Sequence, residues 1–465
     1  MRSASWAWSI WSERFRGCGT GPSRRWRTRS RSLPKASRTV TTYYRATVDD
    51  ARDYSPLQGR VETRVCVIGG GFAGLNTALG LCERGARDVV LLEAGDIGHG
   101  ASGRNGGFVF SGFSRGEDAL LRDLGPARAR TLHAGTVHAV GLIRARALRY
   151  GIDCDLVDAG VFWVNWFRDP AVLRARQALL REHFGIDWRW VPRAELRAQL
   201  HTERYHDALY EPDAFHFHPL KYAHGIAAAA AGQGARLHAR TPAVSLARSG
   251  AGWRVRTPAG EVQAEQVVLA CGGYLAGLHR RVDAGVLPIA TYVMATEPLG
   301  ARLQQAMTTQ AAVYDTRFAF DYYRPLPDTR ILWGGRISIL QRSPEAVRRL
   351  LLADLLRVYP QLAGLRVEFA WSGLMSYARH QMPQLGQIEP GLWLAQAFGG
   401  HGVAPTTLAG ETLAAAIADG DTGWHAFADY PLVSALKPAG LLAAQLEYWR
   451  MQALDAWRDR REHAG

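Results

Sequence analysis

The residues best suited to do chemistry are concentrated between positions 65 and 107. An apolar run, 65–68, is followed at once by Gly69, Gly71 and Gly74, with Phe72 and Ala73 between the last two. This spacing predicts a strand, a tight turn and a helix start. Glycines there let the backbone approach a pyrophosphate, and the free N–H groups of the new helix face its charge. A second apolar run, 89–92, ends in Glu93 and Ala94. An acidic residue about twenty positions after the glycines is placed to accept hydrogen bonds from a ribose 2′-OH. Strand, glycines, helix, strand and acid stand in the order that dinucleotide binding requires.

A second glycine-rich segment follows: Gly98, Gly100, Ala101, Ser102, Gly103, Arg104, Asn105, Gly106 and Gly107. A simple nicotinamide fold needs no such loop so soon after the ribose acid. FAD does, because its diphosphate and ribityl chain need further small residues and backbone donors. At these residues the chain resembles the D-amino-acid-oxidase-like flavoproteins, and more narrowly the gamma-glutamylputrescine oxidase group, which carries a similar A-S-G-R-N-G-G loop. The resemblance runs from about residue 43 to 430 through segments in shared order. They are 150–155 (YGIDCD), 215–220 (FHFHPL), 321–324 (DYYR), 334–336 (GGR), Trp371 to Gly373, Met382-Pro383, and Gly399-Gly400-His401-Gly402-Val403.

The resemblance implies an α/β (α+β) two-domain flavoprotein, a Rossmann-like FAD-binding domain with a discontinuous mixed-sheet substrate domain. The FAD-binding parts fall at 42–155, 215–285 and 385–430, and the substrate parts at 156–214 and 286–384. A basic tail, 1–41, precedes them and a C-terminal helical extension, 431–465, follows. It also implies that the Val244 backbone lies beside the adenine, and that a buried strand, 266–270, ends at Cys271 and Gly272 beneath the FAD. Strands at 292–297 and 331–337 are expected over the flavin ring. Tyr322 and Tyr323 alternate on a strand, one buried and one exposed. Tyr323, Arg324 and His401 are the candidate catalytic residues, while His216 and His218 read as structural. The 399–403 turn is expected to aim a helix starting near Pro405 at the flavin pyrimidine, where a helix N-terminus stabilises the charge of the reduced ring.

The reaction implied is oxidation of an amine C–N bond, with oxygen as electron acceptor and hydrogen peroxide as product. A substrate carboxylate would pair with Arg324, Arg336 or Arg379 in bidentate fashion. The chain departs from the group at His380-Gln381-Met382-Pro383, where the closest pattern has arginine just before Met-Pro. A D-amino acid or an N-methyl amino acid therefore stays open as substrate, and a dehydrogenase as the reaction type. Some relatives carry FAD covalently on a histidine in the glycine loop or on a late cysteine. Here Asn105 stands in the first place, His99 lies earlier and Cys271 ends a strand, so non-covalent FAD is expected. Lys221 is the only central lysine, and nothing in the sequence brings it to the flavin.

Composition narrows the alternatives. A chain of 465 residues, 47% apolar, can bury a core of two-domain size. No run of eighteen apolar residues exists, so no integral membrane association is expected. The five cysteines are scattered, which fits a reducing, cytoplasmic setting and no metal site. Residues 1–40 hold nine arginines and Lys35 against Glu13, most of the net charge of +14. That arm, with Trp26 among its arginines, is the sole basis for a nucleic-acid-binding alternative, since no folded nucleic-acid motif follows it. A non-catalytic flavoprotein is the other. Periodicity predicts helices at 132–150, 170–184 and 220–231 and strands at 161–164, 188–191, 236–239 and 243–247. A hairpin over 253–263 precedes the buried strand.

Overall fold

The computed structural model describes residues 42–48 and 52–463. The basic arm, on which the nucleic-acid alternative rested, lies outside them. Strand β1 (Gly59–Ile68) is buried over its last four residues, and the chain turns at Gly69 (φ +118°) into helix α1 (Phe72–Glu83). The order continues with β2 (Val89–Leu92), β3 (Phe108–Val109), α2 (Glu117–Arg149), β4 (Val161–Val164), α3 (Ala171–Leu179), β5 (Arg189–Val191) and β6 (Ala208–Glu211). Next come β7 (Phe215–His216), α4 (Pro219–Gly232), β8 (Arg236–His238), β9 (Ser245–Ser249), β10 (Gly252–Arg256), β11 (Gly260–Leu269), β12 (Leu287–Thr296) and β13 (Ala312–Asp315). The chain closes with β14 (Asp321–Pro325), β15 (Ile331–Ser338), α5 (Pro344–Val358), β16 (Val367–Tyr377), β17 (Gln384–Glu389), β18 (Leu392–Gln396), α6 (Val403–Asp419) and α7 (Ala439–His463).

Two sheets organise these elements. The first has the order β17-β18-β11-β1-β2-β8, with β10 and β9 folded onto β11. Its centre is parallel, from β18 through β11, β1 and β2 to β8. Parallel strands are covered on both faces, so they are apolar throughout; all four residues of β2 are buried. Side chains of α1, α2, α4 and α6 form the core on one face. The second sheet, β16-β12-β15-β14-β13-β4-β6-β5, is antiparallel except where β13 pairs with β4. It buries one face against α5 through Val347, Leu351 and Leu355, which pack in one cluster with Trp333 and Met294.

Three local expectations change. The hairpin forms from β10 and β11, but its second arm and the buried strand are one strand, because β11 pairs with β1 from Gly59↔Gly260 to Ile68↔Leu269 while its first half also pairs with β10. Helix α2 begins at Glu117, well before 132, and bends where Gly125 (φ +73°) precedes Pro126. The proline lacks the N–H needed to continue a straight helix. Helix α6 starts at Val403, two residues before Pro405. Among the described residues no helix is long and apolar enough to cross a membrane.

Candidate functional site

One continuous cavity of about 1830 Å³ runs from the Gly69 turn, past the 399–403 turn, to the second sheet. Its first end is backbone-lined because side chains are missing where they would intrude. A Cβ on Gly71 would lie 2.9 Å from Ser102 Oγ, and one on Gly69 only 2.5 Å from the Ala270 carbonyl. The Phe72 N–H donates to Ser102 Oγ at 2.8 Å. The following first-turn N–H groups of α1 have no partner within the helix. The Glu93 carboxylate lines the same end, accepting from the Gly70 and Gly95 N–H groups at 2.7 Å each. Those bonds fix its orientation and leave lone pairs for a diol.

Of the residues expected to contact the cofactor, all line this cavity except Gly74, Gly103, Gly107 and Val244. The three glycines act from behind. A Cβ on Gly74 would sit 2.0 Å from the Gly69 carbonyl, on Gly103 2.4 Å from that of Gly98, and on Gly107 2.2 Å from that of Phe217. They let α1 and the 98–107 loop close up. Val244 is a correction: its N–H donates to the Arg256 carbonyl at 2.8 Å, and its side chain is exposed at the foot of the β9–β10 hairpin. Thr241, Pro242 and Ala243 line the cavity instead.

At the other end, Gly399 (φ +64°) and Gly400 bring the chain against Ser114 and Tyr377. The His401 N–H donates to Ser114 Oγ at 3.2 Å, and its ring lies edge-on to Phe110, 4.5 Å between centroids. Burial pushes the imidazole down to about 4, so His401 is neutral at physiological pH. Helix α6 begins here with no side-chain cap at Gly402. Facing it are Phe110, Tyr314 and Trp163, which stack in turn with centroids 5.9 and 6.2 Å apart, and Tyr322, Met375 and Tyr377.

Two candidate catalytic residues are corrected. Tyr323 faces α5, stacks on Trp333 at 4.4 Å and shares a hydrogen bond with Tyr359 at 2.9 Å. Strand alternation puts its neighbour Tyr322 on the cavity side. Arg324 is fully buried and does not line the cavity. Its guanidinium donates to the Gly106 and Phe217 carbonyls at 2.7 and 2.8 Å, and it bonds Tyr44 and His216. It pins the glycine loop from behind, as Trp371 does through a bond from Nε1 to the Arg104 carbonyl at 2.9 Å. Arg336 does line the cavity, but Asp354 holds it by two bonds at 2.8 and 2.5 Å. Arg379 does not line it.

His216 and His218 are structural: the first contacts the Gln310 carbonyl at 2.8 Å, and the second caps α4 by accepting from the Lys221 N–H. Lys221 itself pairs with Asp155 at 2.8 Å, away from the cavity. Among the described residues no group of three or more His, Cys, Asp and Glu side chains is arranged to hold a metal.

A buried ion cluster on the cavity wall had no signal in the sequence. Arg176 of α3 pairs with Glu117 of α2, whose other oxygen lies 3.2 Å from His133 Nδ1. Burial opposes ionisation of Glu117, but Arg176 and His133 outweigh it and hold the carboxyl well below its usual range. Glu211 nearby, buried without a dominant cation, is pushed up to about 8. Met375 and Tyr377 follow Gly373 on β16, but Leu374 and Ser376 between them line the cavity too, so no period-two signal marks them in the sequence. Glu117 and Arg176 come from separate helices and carried none.

A profile described as FAD dependent oxidoreductase (DAO) matches residues 64–416, most of the chain. The chain belongs to the FAD dependent oxidoreductase family. It is 33% identical to the gamma-glutamylputrescine oxidoreductase of Escherichia coli (strain K12), over 84% of this chain and 92% of that protein. To a probable oxidoreductase OrdL of Haemophilus influenzae it is 30% identical, covering 82% and 89%. Among solved structures, glycine oxidase from Geobacillus kaustophilus superposes with a TM-score of 0.67 at 24% identity, over 80% of this chain and 98% of that one. The protein is thus an FAD-dependent oxidoreductase of the two-domain flavoprotein fold. The cavity fits that cofactor: a side-chain-free cradle at Gly69 and Gly71, a fixed carboxylate at Glu93, and glycines again at 399–402.

Proposed function

We propose that the protein oxidises a primary amine, R–CH2–NH2 + H2O + O2 → R–CHO + NH3 + H2O2, with gamma-glutamylputrescine the leading substrate. The observation that carries this reading is the chemistry of the wall facing the 399–403 turn. It is aromatic and thioether, from Phe110, Trp163, Tyr314, Tyr322, Met375 and Tyr377 around a neutral His401, and Arg176, Arg317 and Arg336 on its borders are already held by carboxylates. Such a wall suits an uncharged amine methylene better than an α-carboxylate. The Escherichia coli relative's name supplies the substrate class.

Bound FAD supplies a two-electron acceptor for the hydride equivalent lost by the carbon bearing nitrogen. The chain's part is to bind, orient and exclude water. Gly69, Gly71 and the first turn of α1 would hold the pyrophosphate, and Glu93 would hold the ribose. Arg104, Asn105 and Gly106 would support the ring system. His401 and the uncapped start of α6 face the pole where negative charge develops. The aromatic wall keeps the amine neutral and its carbon close to the acceptor. FAD is held without a covalent bond: Cys271, the cavity's one cysteine among the described residues, has its thiol pushed up to about 12 by burial and donates to the Ile68 carbonyl.

Aerobic turnover with a peroxide readout tests the reading, using gamma-glutamylputrescine, putrescine, D-alanine and sarcosine. Peroxide with the amines alone is expected. Turnover of D-alanine or sarcosine alone would move the protein to amino-acid oxidation. Acid precipitation is expected to release the flavin to the supernatant, and colour kept in the pellet would refute non-covalent binding.

A further inference from the structure

Helix α7 lies beyond the residues that the family profile matches, yet it is built into the cavity wall. Three anchors fix it to the second sheet and its loops. Gln445 accepts from the Ile339 N–H and Ser338 Oγ at 3.0 and 3.1 Å. Asp455 Oδ2 accepts from the Phe318 and Ala319 N–H groups at 2.9 and 3.3 Å. Asp459 accepts from Trp166 Nε1 at 2.9 Å and pairs with Arg204.

Along the same helix, Tyr448, Met451, Asp455, Arg458 and Glu462 recur at three- and four-residue steps, so they share one helix face, and all line the cavity. Along that face the chemistry changes from apolar at Tyr448 and Met451 to charged of both signs at Asp455, Arg458 and Glu462. The charged stretch lies where the cavity meets solvent at the exposed Trp457 and Arg461.

The ions here are held differently from those deeper in. Arg317 and Arg336 make bonds of 2.5–3.0 Å to aspartates. Arg458 has only long pairings, 3.4 Å to Glu462 and 3.9 Å to Asp169, and its side chain is 40% exposed, lying over the Phe167 ring at 4.0 Å. Asp455 uses Oδ2 for both of its backbone bonds, so neither occupies Oδ1, and the residue lines the cavity.

We propose that α7 forms a distal subsite for a zwitterionic α-amino-carboxylate head group, with Arg458 taking the carboxylate and Asp455 the ammonium. The inference rests on the amine-oxidation reading and deepens it. One end of the cavity takes an uncharged amine carbon, and the other selects substrates by a charged head carried at the far end of the chain. A γ-glutamyl group has that chemistry. An acetyl group, shorter and uncharged, does not.

The test uses FAD-loaded protein and its Arg458→Ala and Asp455→Asn variants. Asp455→Asn keeps a carbonyl oxygen for the Phe318 and Ala319 N–H groups, so it preserves the anchor. The first readout is binding of γ-glutamylbutylamide, which has the head group but lacks the terminal amine, by calorimetry under anaerobic conditions. Both variants are expected to weaken it about tenfold or more, the scale of losing a charge-assisted hydrogen bond. The second is turnover: KM for gamma-glutamylputrescine should rise by a similar factor, with kcat and the KM for N-acetylputrescine unchanged. Equal effects on both amines, or no effect on γ-glutamylbutylamide, overturn the subsite. If γ-glutamylbutylamide binds through Arg458 and Asp455 but no amine is oxidised, the subsite stands and the amine-oxidation reading falls.

Discussion

At the scale of single residues, His401 and Arg324 separate what a local signature conveys from what it does not. Gly399, Gly400 and Gly402 around His401 announce a backbone that must come close to something, and the ring does line the cavity. His401→Ala should leave FAD bound, because Gly69, Gly71 and Glu93 hold the other end. It should slow amine-driven flavin reduction by roughly 10²-fold, the usual cost of removing one preorganised electrostatic stabiliser. Stopped-flow reduction checks this, and an unchanged rate returns His401 to the role of a packing residue. Arg324 sits in an equally distinctive motif, but alternation on β14 gives two faces without saying which is the core, and it could not show that the Gly106 and Phe217 carbonyls wait beside the guanidinium. Arg324→Ala is therefore expected to act on stability and FAD retention, not on KM. Each carbonyl left unsatisfied costs about 1–3 kcal/mol, so the thermal midpoint and flavin content should fall together. A variant with full flavin content and a raised KM would reinstate it as a substrate ligand.

Among elements, the legible parts were those whose constraint is local. A run such as VVLL, four apolar residues between Asp88 and Glu93, reads as a buried parallel strand because it is short, partly β-branched and apolar on both faces. The continuity of β11 was not legible, since its first half alternates while only its last three residues are apolar throughout, and pairing with β1 joins them. Glycines at element contacts carry a sharper expectation. Helix α1 starts where it does because Gly74 lets it settle onto the Gly69 carbonyl, and α6 crosses α1 closely because a Cβ on Gly410 would meet Asn76 Cβ at 2.6 Å. Gly74→Ala must displace backbone from backbone, since the added carbon would lie 2.0 Å from an oxygen. The purified variant is expected to be largely colourless and to recover little flavin on incubation with FAD. A fully yellow variant would show that the turn can relax.

For the whole molecule, the chain threads two sheets so that one long cavity joins the glycine turn at Gly69 to an apolar, aromatic wall beside the 399–403 turn. The order of motifs made the FAD-binding sheet readable. The substrate wall was readable only in part, because Glu117, Arg176 and the face of α7 meet through folding and share no spacing in the sequence. On the proposed reading, this wall delivers an amine carbon to bound FAD. The most direct measurement is anaerobic mixing of the FAD-loaded protein with gamma-glutamylputrescine while following the visible flavin band. Loss of the band, with the aldehyde formed in step with the flavin reduced, is the expected result. A band that persists with every amine offered, in protein that dithionite still bleaches, would contradict the account.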